Sequence, residues 1–139
     1  MASAVKAGVQ IRTFQVSLEE VSDIDDWVES VAAESGANER AAFMARLCIA
    51  ELAANVLEHS VPRSSSDHIV ITIKRLADGI GIEFLDSRAA FDPTSKPLAG
   101  SDPSNGGGRG LMLLQAYADE LTYTNDGSYN RIKFKIKSG

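Results

Sequence analysis

The chain has 139 residues, a length that suits one hydrophobic core, and we expect a single domain over residues 1–139. It is 44% hydrophobic, yet it lacks both the run of about 18 apolar residues that spans a membrane and an apolar signal-peptide core at its N-terminus. These features and the net charge of −5 argue against membrane and direct nucleic-acid binding, and they favour a cytoplasmic protein.

The N-terminal part of the chain predicts a strand followed by two helices. Residues 9–16 form the candidate strand, and Ser17 begins a Ser-Leu-Glu-Glu capping box that starts the first helix. The apolar residues that follow at helical spacing are Val21, Ile24, Val28 and Val31. Gly36 ends this helix, and Asn38 caps a second helix that runs to about His59.

The middle of the chain predicts a β-hairpin. Every second residue over 69–73 and over 80–84 is isoleucine or phenylalanine, which is the alternation of a half-buried strand. Asp78 and Gly79 lie between the two runs and form the expected turn.

The C-terminal part begins with an irregular segment over residues 87–105 that carries three prolines. Loops of this length in a compact domain are often functional. A glycine-rich segment over 106–110 precedes a predicted helix over 111–118, and a second hairpin turns at Asp126 and Gly127. Because hairpins pair strands antiparallel and the three helices must cover one face, the predicted fold class is α+β: a two-layer α/β sandwich with a mixed, mostly antiparallel sheet.

The second helix carries the most informative polar residues. Between Leu47 and Leu57 only Glu51 and Asn55 are polar, and their spacing of four places them on one face of a helix that we expect to be buried nearly all round. Buried polar groups need partners. One interpretation is a Glu–Asn hydrogen bond on a narrow solvent-facing stripe. The functional interpretation is a site in which Asn55 offers an oxygen to magnesium and Glu51 acts as a base.

Two further features suggest ligand binding. Asp86 ends a hydrophobic strand, where it either begins a turn or accepts a hydrogen bond from an exocyclic amine such as that of adenine. Residues 106–111, Gly-Gly-Gly-Arg-Gly-Leu, stand immediately before a helix, whose free N–H groups and dipole favour phosphate. The alternative interpretation of residues 106–111 is a glycine-rich lid hinge that binds no ligand.

These motifs, in this order, resemble those of the GHKL ATPases, which have the Bergerat ATP-binding fold, and most closely the compact anti-sigma-factor serine/threonine kinases. Residues 51–59, Glu-Leu-Ala-Ala-Asn-Val-Leu-Glu-His, are similar to the N-box of that branch. Residues 86–93 are similar to its D-x-G-x-x-F-D-P box, and residues 106–114 are similar to its glycine box, which a hairpin follows at Asp119.

The resemblance implies a role for each matching residue. Asn55 would coordinate Mg²⁺, Glu51 would be the general base toward an attacking hydroxyl, and Asp86 would bind the adenine amino group of ATP. The residues implied to lie along the ATP phosphates are Gly106, Gly108, Arg109, Gly110 and Leu111.

The resemblance also implies partners. It predicts a serine/threonine kinase of a partner-switching pathway that phosphorylates a STAS-domain anti-anti-sigma protein and sequesters a sigma factor or another regulator. Homodimers are common in that branch. Two alternatives stay open: a non-catalytic interaction module that binds ATP weakly, and a detached histidine-kinase ATPase domain, against which the lack of a phosphoacceptor helix pair argues.

Arg88 departs from the resembled pattern, which has glycine two residues after the aspartate. Glycine would let the backbone pass close to the adenine and adopt dihedral angles that other residues avoid. Either the loop shifts so that Asp86 still meets the adenine and Arg88 points to solvent, which we expect, or the pocket is partly closed and the nucleotide site is weak.

Overall fold

The computed structural model describes residues 4–6, 8–90 and 114–138. Its strands and helices, in chain order, are β1 (Ala4–Lys6), β2 (Val9–Gln15), α1 (Leu18–Glu34), α2 (Glu39–His59), β3 (His68–Leu76), β4 (Gly79–Asp86), β5 (Asp119–Asn125) and β6 (Asn130–Lys137). Residues 114–117 are helical as well, residues 111–113 of the predicted helix lie outside the described residues, and Ala118 is no longer helical.

The six strands form one sheet in the order β1-β2-β3-β4-β6-β5. Each described pair of neighbouring strands is antiparallel, so over these residues the sheet is antiparallel rather than mixed. The short strand β1, which pairs with β2 at one edge, was not expected from the sequence. The two predicted hairpins are confirmed as β3–β4 and β5–β6, and the α+β fold class is confirmed with them.

The predicted helix starts are confirmed by their caps. The Ser17 hydroxyl accepts a hydrogen bond from the Glu20 N–H at 3.2 Å, and Asn38 Oδ1 accepts one from the Ala41 N–H at 2.8 Å. Each cap satisfies a backbone donor that the first helical turn leaves without an intrahelical partner. Both helices therefore begin where the local sequence specifies.

The core lies between the helices and one face of the sheet. Because side chains alternate along a strand, the residues that the register aligns on this face are Phe14, Ile69, Ile71, Ile73, Ile80, Ile82, Phe84, Ile132, Phe134 and Ile136. All of them are buried, and burying each such side chain contributes about 1.5–3 kcal/mol. The opposite face carries the lysines of β6.

Helix α2 buries one side only, which corrects the expectation that it is buried nearly all round. Its buried residues, which form a single stripe, are Ala41, Ala42, Ala45, Cys48, Ile49, Leu52, Ala53 and Val56. Phe43 is exposed, and Glu51 and Asn55 flank the stripe at intermediate burial. The alanines and leucines of this helix make its sequence uniformly apolar, but α1 and the sheet together cover only one side of it.

The first residue of β4, Gly79, must be glycine for steric reasons. A Cβ on Gly79 would collide with the Ile136 carbonyl oxygen of the neighbouring strand, so only glycine fits there. The turn of this hairpin consists of residues 77–78, and Gly79 already belongs to the strand. In the second hairpin Gly127 has a φ of 92°, in agreement with the predicted turn at Asp126 and Gly127.

Over residues 4–6, 8–90 and 114–138, no helix has the length and apolar character needed to cross a bilayer.

Candidate functional site

Glu51 and Asn55 stand one turn apart near the C-terminal end of α2, both half-buried. Among the described residues neither side chain makes a hydrogen bond, so the interpretation of a direct Glu–Asn pair is wrong for this structure. A carboxylate and an amide oxygen are therefore available to a ligand on the same side of the helix.

Asp86 is the last residue of β4 and is 7% exposed. Its Oδ1 accepts two hydrogen bonds, from Asn130 Nδ2 at 3.0 Å and from the Arg88 N–H at 3.1 Å. No donor within the described residues is bonded to Oδ2. One oxygen is thus used to hold the carboxylate in place, while the other remains an acceptor.

The surroundings of Asp86 raise the pKa of its carboxyl group. Burial raises the pKa of this carboxyl above its ordinary value of 3.8, and the nearby Asp67 charge adds to the rise. The hydrogen bonds from Asn130 and the Arg88 N–H, together with the Arg88 charge, oppose the shift without cancelling it. A buried carboxylate that costs free energy when ionised is a frequent mark of a ligand site.

Asn130, which belongs to none of the sequence motifs, makes hydrogen bonds to several residues of this region. It lies opposite Asp86 in the β4–β6 register and is 2% exposed. Its Nδ2 also faces the carbonyl oxygens of Arg88 and Ala89, at 3.2 and 3.0 Å. Its Oδ1 accepts from the Tyr123 hydroxyl at 2.6 Å and from Asn125 Nδ2 at 3.1 Å. The sequence did offer one indication of this role. Asn130 lies on the same buried face of β6 as Ile132, Phe134 and Ile136, where a polar side chain is unexpected.

Arg88 points inward, which corrects the expectation that its side chain is directed to solvent. The side chain is 11% exposed, and Nη1 donates to the Val56 carbonyl oxygen at 2.9 Å and faces Ser60 Oγ at 3.4 Å. Nε lies 3.4 Å from Asp67 Oδ2. The reason is that Asp67 offers a buried counter-charge and the end of α2 offers a carbonyl without a helical partner.

Asp67 ends the polar loop before β3 and is 5% exposed. Its Oδ2 accepts from the N–H groups of Arg63 and Ser64, at 2.8 and 3.2 Å, and its Oδ1 accepts from the Ser87 hydroxyl at 3.2 Å. Although burial raises the pKa of Asp67, these hydrogen bonds and the Arg88 charge together hold it below its ordinary value. Asp67 is therefore a stable anion in contact with Ser87 and Arg88, the two residues that follow Asp86.

The structure brings together some of the residues that the sequence proposed. Asp86 is joined through Arg88 to Val56, the residue that follows Asn55 on α2. The phosphate-binding candidates lie outside the described residues: Gly106, Gly108, Arg109, Gly110 and Leu111.

The sequence profile of the histidine kinase-like ATPase domain matches residues 14–136. The chain therefore belongs to the histidine kinase-like ATPase domain family, which confirms the resemblance to the GHKL superfamily and implies ATP binding. None of the curated proteins matches the chain.

Solved structures share this fold. The RsbU and RsbW domains of Rv1364c from Mycobacterium tuberculosis superpose with a TM-score of 0.67 at 16% identity, over 93% of this chain and 32% of that one. The histidine kinase domain of the Erythrobacter litoralis EL346 blue-light activated histidine kinase gives a TM-score of 0.55 at 16% identity, over 86% of this chain and 60% of that one. The chain thus spans about a third of the length of the Mycobacterium structure, and at this identity the likeness shows the fold alone.

The described residues fit a magnesium–ATP ligand chemically. Asp86 Oδ2 suits the exocyclic amine of adenine, because a carboxylate oxygen accepts from an N–H donor. The Asn55 side chain supplies an oxygen of the kind that Mg²⁺ prefers, and Mg²⁺ usually takes its remaining ligands from water and phosphate.

Proposed function

We propose that this chain is a Mg²⁺-dependent ATP-binding protein kinase that phosphorylates a serine or threonine hydroxyl of a protein partner. The observation that carries the proposal is the arrangement of Asp86. One of its oxygens is held by Asn130 and the Arg88 N–H, and the other is left as an acceptor. Membership of the ATPase family supports the nature of the ligand.

The proposed binding roles follow from the chemistry of the side chains. Asp86 Oδ2 would accept from the adenine amine, and Asn55 Oδ1 would coordinate Mg²⁺. The glycine segment that begins at Gly106 would line the phosphates. When bound, Mg–ATP supplies the phosphoryl group and neutralises charge as that group moves.

Glu51 would act on the incoming hydroxyl. It lies one turn before Asn55 on α2, so a magnesium ligand and a base would belong to one rigid element. In the transfer, the hydroxyl oxygen forms a bond to the γ-phosphorus, the bond from that phosphorus to the ADP oxygen breaks, and Glu51 takes the hydroxyl proton.

The proposed partners are those of a partner-switching pathway. The substrate would be a STAS-domain anti-anti-sigma protein, and a sigma factor or another regulator would be sequestered. A homodimer and a cytoplasmic location belong to the same proposal. Its support is the resemblance of the motifs together with the similar structure of the RsbU and RsbW domains of Rv1364c.

One assay separates the kinase from its rivals. The chain is incubated with [γ-³²P]ATP, Mg²⁺ and a STAS-domain protein encoded next to its gene, with Glu51→Gln as the matched control. We expect an acid-stable phosphoserine or phosphothreonine on the partner with wild type, and strongly reduced label with the variant. Acid-labile label would indicate histidine phosphorylation instead, and label that does not depend on Glu51 would contradict the proposed base.

A second candidate is a non-catalytic interaction module of the same fold, and Arg88 in place of the expected glycine favours it. If this candidate is right, wild type binds no ATP at millimolar concentration and Arg88→Gly restores binding. The kinase proposal expects the opposite order of affinities.

A further inference from the structure

Arg88 connects three segments of the chain that surround the candidate adenine acceptor. Its guanidinium reaches Val56 O at the end of α2 and Asp67 Oδ2 in the loop before β3. Its own main chain holds Asp86: the N–H donates to Asp86 Oδ1, and the carbonyl oxygen accepts from Asn130. Side chain and main chain of one residue thus contact α2, the loop before β3, and Asn130 on β6.

The contact with α2 acts as a helix cap supplied from outside the helix. Val56 O lies in the last turn of α2, where carbonyl groups lack intrahelical partners, and the Ser60 hydroxyl also donates to it. A guanidinium at that end complements the negative end of the helix dipole. Because Asn55 precedes Val56, this cap also fixes the turn that carries the proposed magnesium ligand.

The contact with Asp67 fixes the other end of the arginine. Both side chains are nearly buried, and Asp67 is itself held by two backbone N–H groups and by the Ser87 hydroxyl. Removing either member of this buried ion pair would leave the other charge buried without compensation. These contacts restrict the Arg88 backbone, although no proline does.

We propose that Arg88 is a positioning residue that fixes Asp86 for recognition of the adenine amino group, and so sets the preference of the site for a 6-amino purine. The inference rests on the proposed function. Where the resembled pattern has glycine, this chain holds the same loop through a side chain that ties it to α2 and to Asp67. Without that tie, the Arg88 N–H is no longer held in place beside Asp86 Oδ1, and Asn130 is the remaining described donor that orients the carboxylate.

The contribution of the adenine amino group can be measured by comparing two nucleotides that differ only in that group. Affinities for ATP and for purine riboside 5′-triphosphate, which lacks the exocyclic amine, are measured by isothermal titration calorimetry with Mg²⁺. Contacts with the phosphates and the metal are the same for both ligands, so they cancel in the ratio. We expect wild type to prefer ATP by about tenfold or more, since hydrogen bonds to charged groups have that strength.

Arg88→Met should reduce this preference to about threefold or less, and Asp67→Asn should shift it in the same direction. Arg88→Lys keeps the charge, but an ammonium cannot both donate to Val56 O and lie beside Asp67 as the guanidinium does, so we expect an intermediate ratio. The matched control is Arg75→Met, which removes a similar bond, from Nη2 to the Glu34 carbonyl oxygen at 3.2 Å, at the end of α1. Its ratio should equal that of wild type.

The ratio also separates the inference from a purely structural role for Arg88. Lower stability alone weakens both ligands by the same factor and leaves the ratio unchanged, and thermal melts of each variant give the folded fraction at the titration temperature. A wild-type preference that persists in Arg88→Met and Arg88→Lys overturns the inference and leaves the proposed function intact. A wild type that binds neither nucleotide overturns both.

Discussion

The role of Asp86 makes a quantitative prediction, because replacing it should separate ligand binding from fold stability. Asp86→Asn keeps the shape of the side chain and an Oδ1 that can still accept from Asn130 and from the Arg88 N–H. It replaces the free acceptor Oδ2 by an NH₂ group, which would face the adenine amine donor to donor. Asp86→Ala removes both oxygens and leaves the Arg88 N–H without its described acceptor.

The magnitude follows from burial. A buried group left without its hydrogen-bond partner costs about 1–3 kcal/mol, so either variant should bind ATP about 5- to 150-fold more weakly. The stability of the fold, unlike the affinity for ATP, should not fall in Asp86→Asn. Because burial raises the pKa of Asp86, the ionised carboxylate is less favourable in the folded chain than in the unfolded one at neutral pH. The amide removes that charge, and we expect a melting temperature equal to or above that of wild type.

The assay is a pair of measurements on each variant: ATP affinity by calorimetry with Mg²⁺, and thermal unfolding monitored by circular dichroism. Asp26→Asn, on the exposed face of α1, is the control for removal of an aspartate charge elsewhere. ATP affinity within twofold of wild type in both Asp86 variants would refute the assignment. So would a loss of affinity that is matched by loss of the folded state.

Three further predictions concern the other residues of the site. Asn55→Ala should abolish the Mg²⁺-dependent part of ATP binding while the fold survives, which titrations with Mg²⁺ and with EDTA would show; unchanged affinity would contradict the metal role. Glu51→Gln should retain nucleotide and partner but lower the rate of phosphorylation by about 10²–10⁴-fold in a single-turnover assay, and a wild-type rate would make Glu51 structural. Since the pKa of Asp67 is lowered in the fold, its stabilising contribution is present above its unfolded pKa and is lost as the pH falls through its folded pKa. Denaturant titrations between neutral pH and pH 3 should therefore show a smaller loss of stability on acidification in Asp67→Asn than in wild type, and parallel curves would contradict this.

The sequence predicted those features that depend on neighbours along the chain. The caps at Ser17 and Asn38 and the two hairpins arise from local periodicity and turn chemistry, and the structure confirms them. The position of Asp86 at the end of a strand followed from the same alternation.

What the sequence could not give are pairings between distant segments. Asn130 and Asp86 are 44 positions apart in the sequence, and a whole hairpin separates Arg88 from Asp67. No local sequence pattern could therefore predict either contact. Arg88 was expected in solvent because Glu51, Asn55 and the glycine segment over 106–111 are all kept, which favours an open nucleotide site. Only the fold shows that a buried carboxylate and a helix end lie within reach of its side chain. The one-sided burial of α2 was hidden for a related reason, since its small apolar residues do not mark a polar face.

The most direct test of the central claim is calorimetric titration of the wild-type chain with ATP, with and without Mg²⁺. The account predicts saturable binding of one ATP per chain that weakens when Mg²⁺ is removed. No detectable binding of ATP at millimolar concentration, with or without the metal, would contradict it.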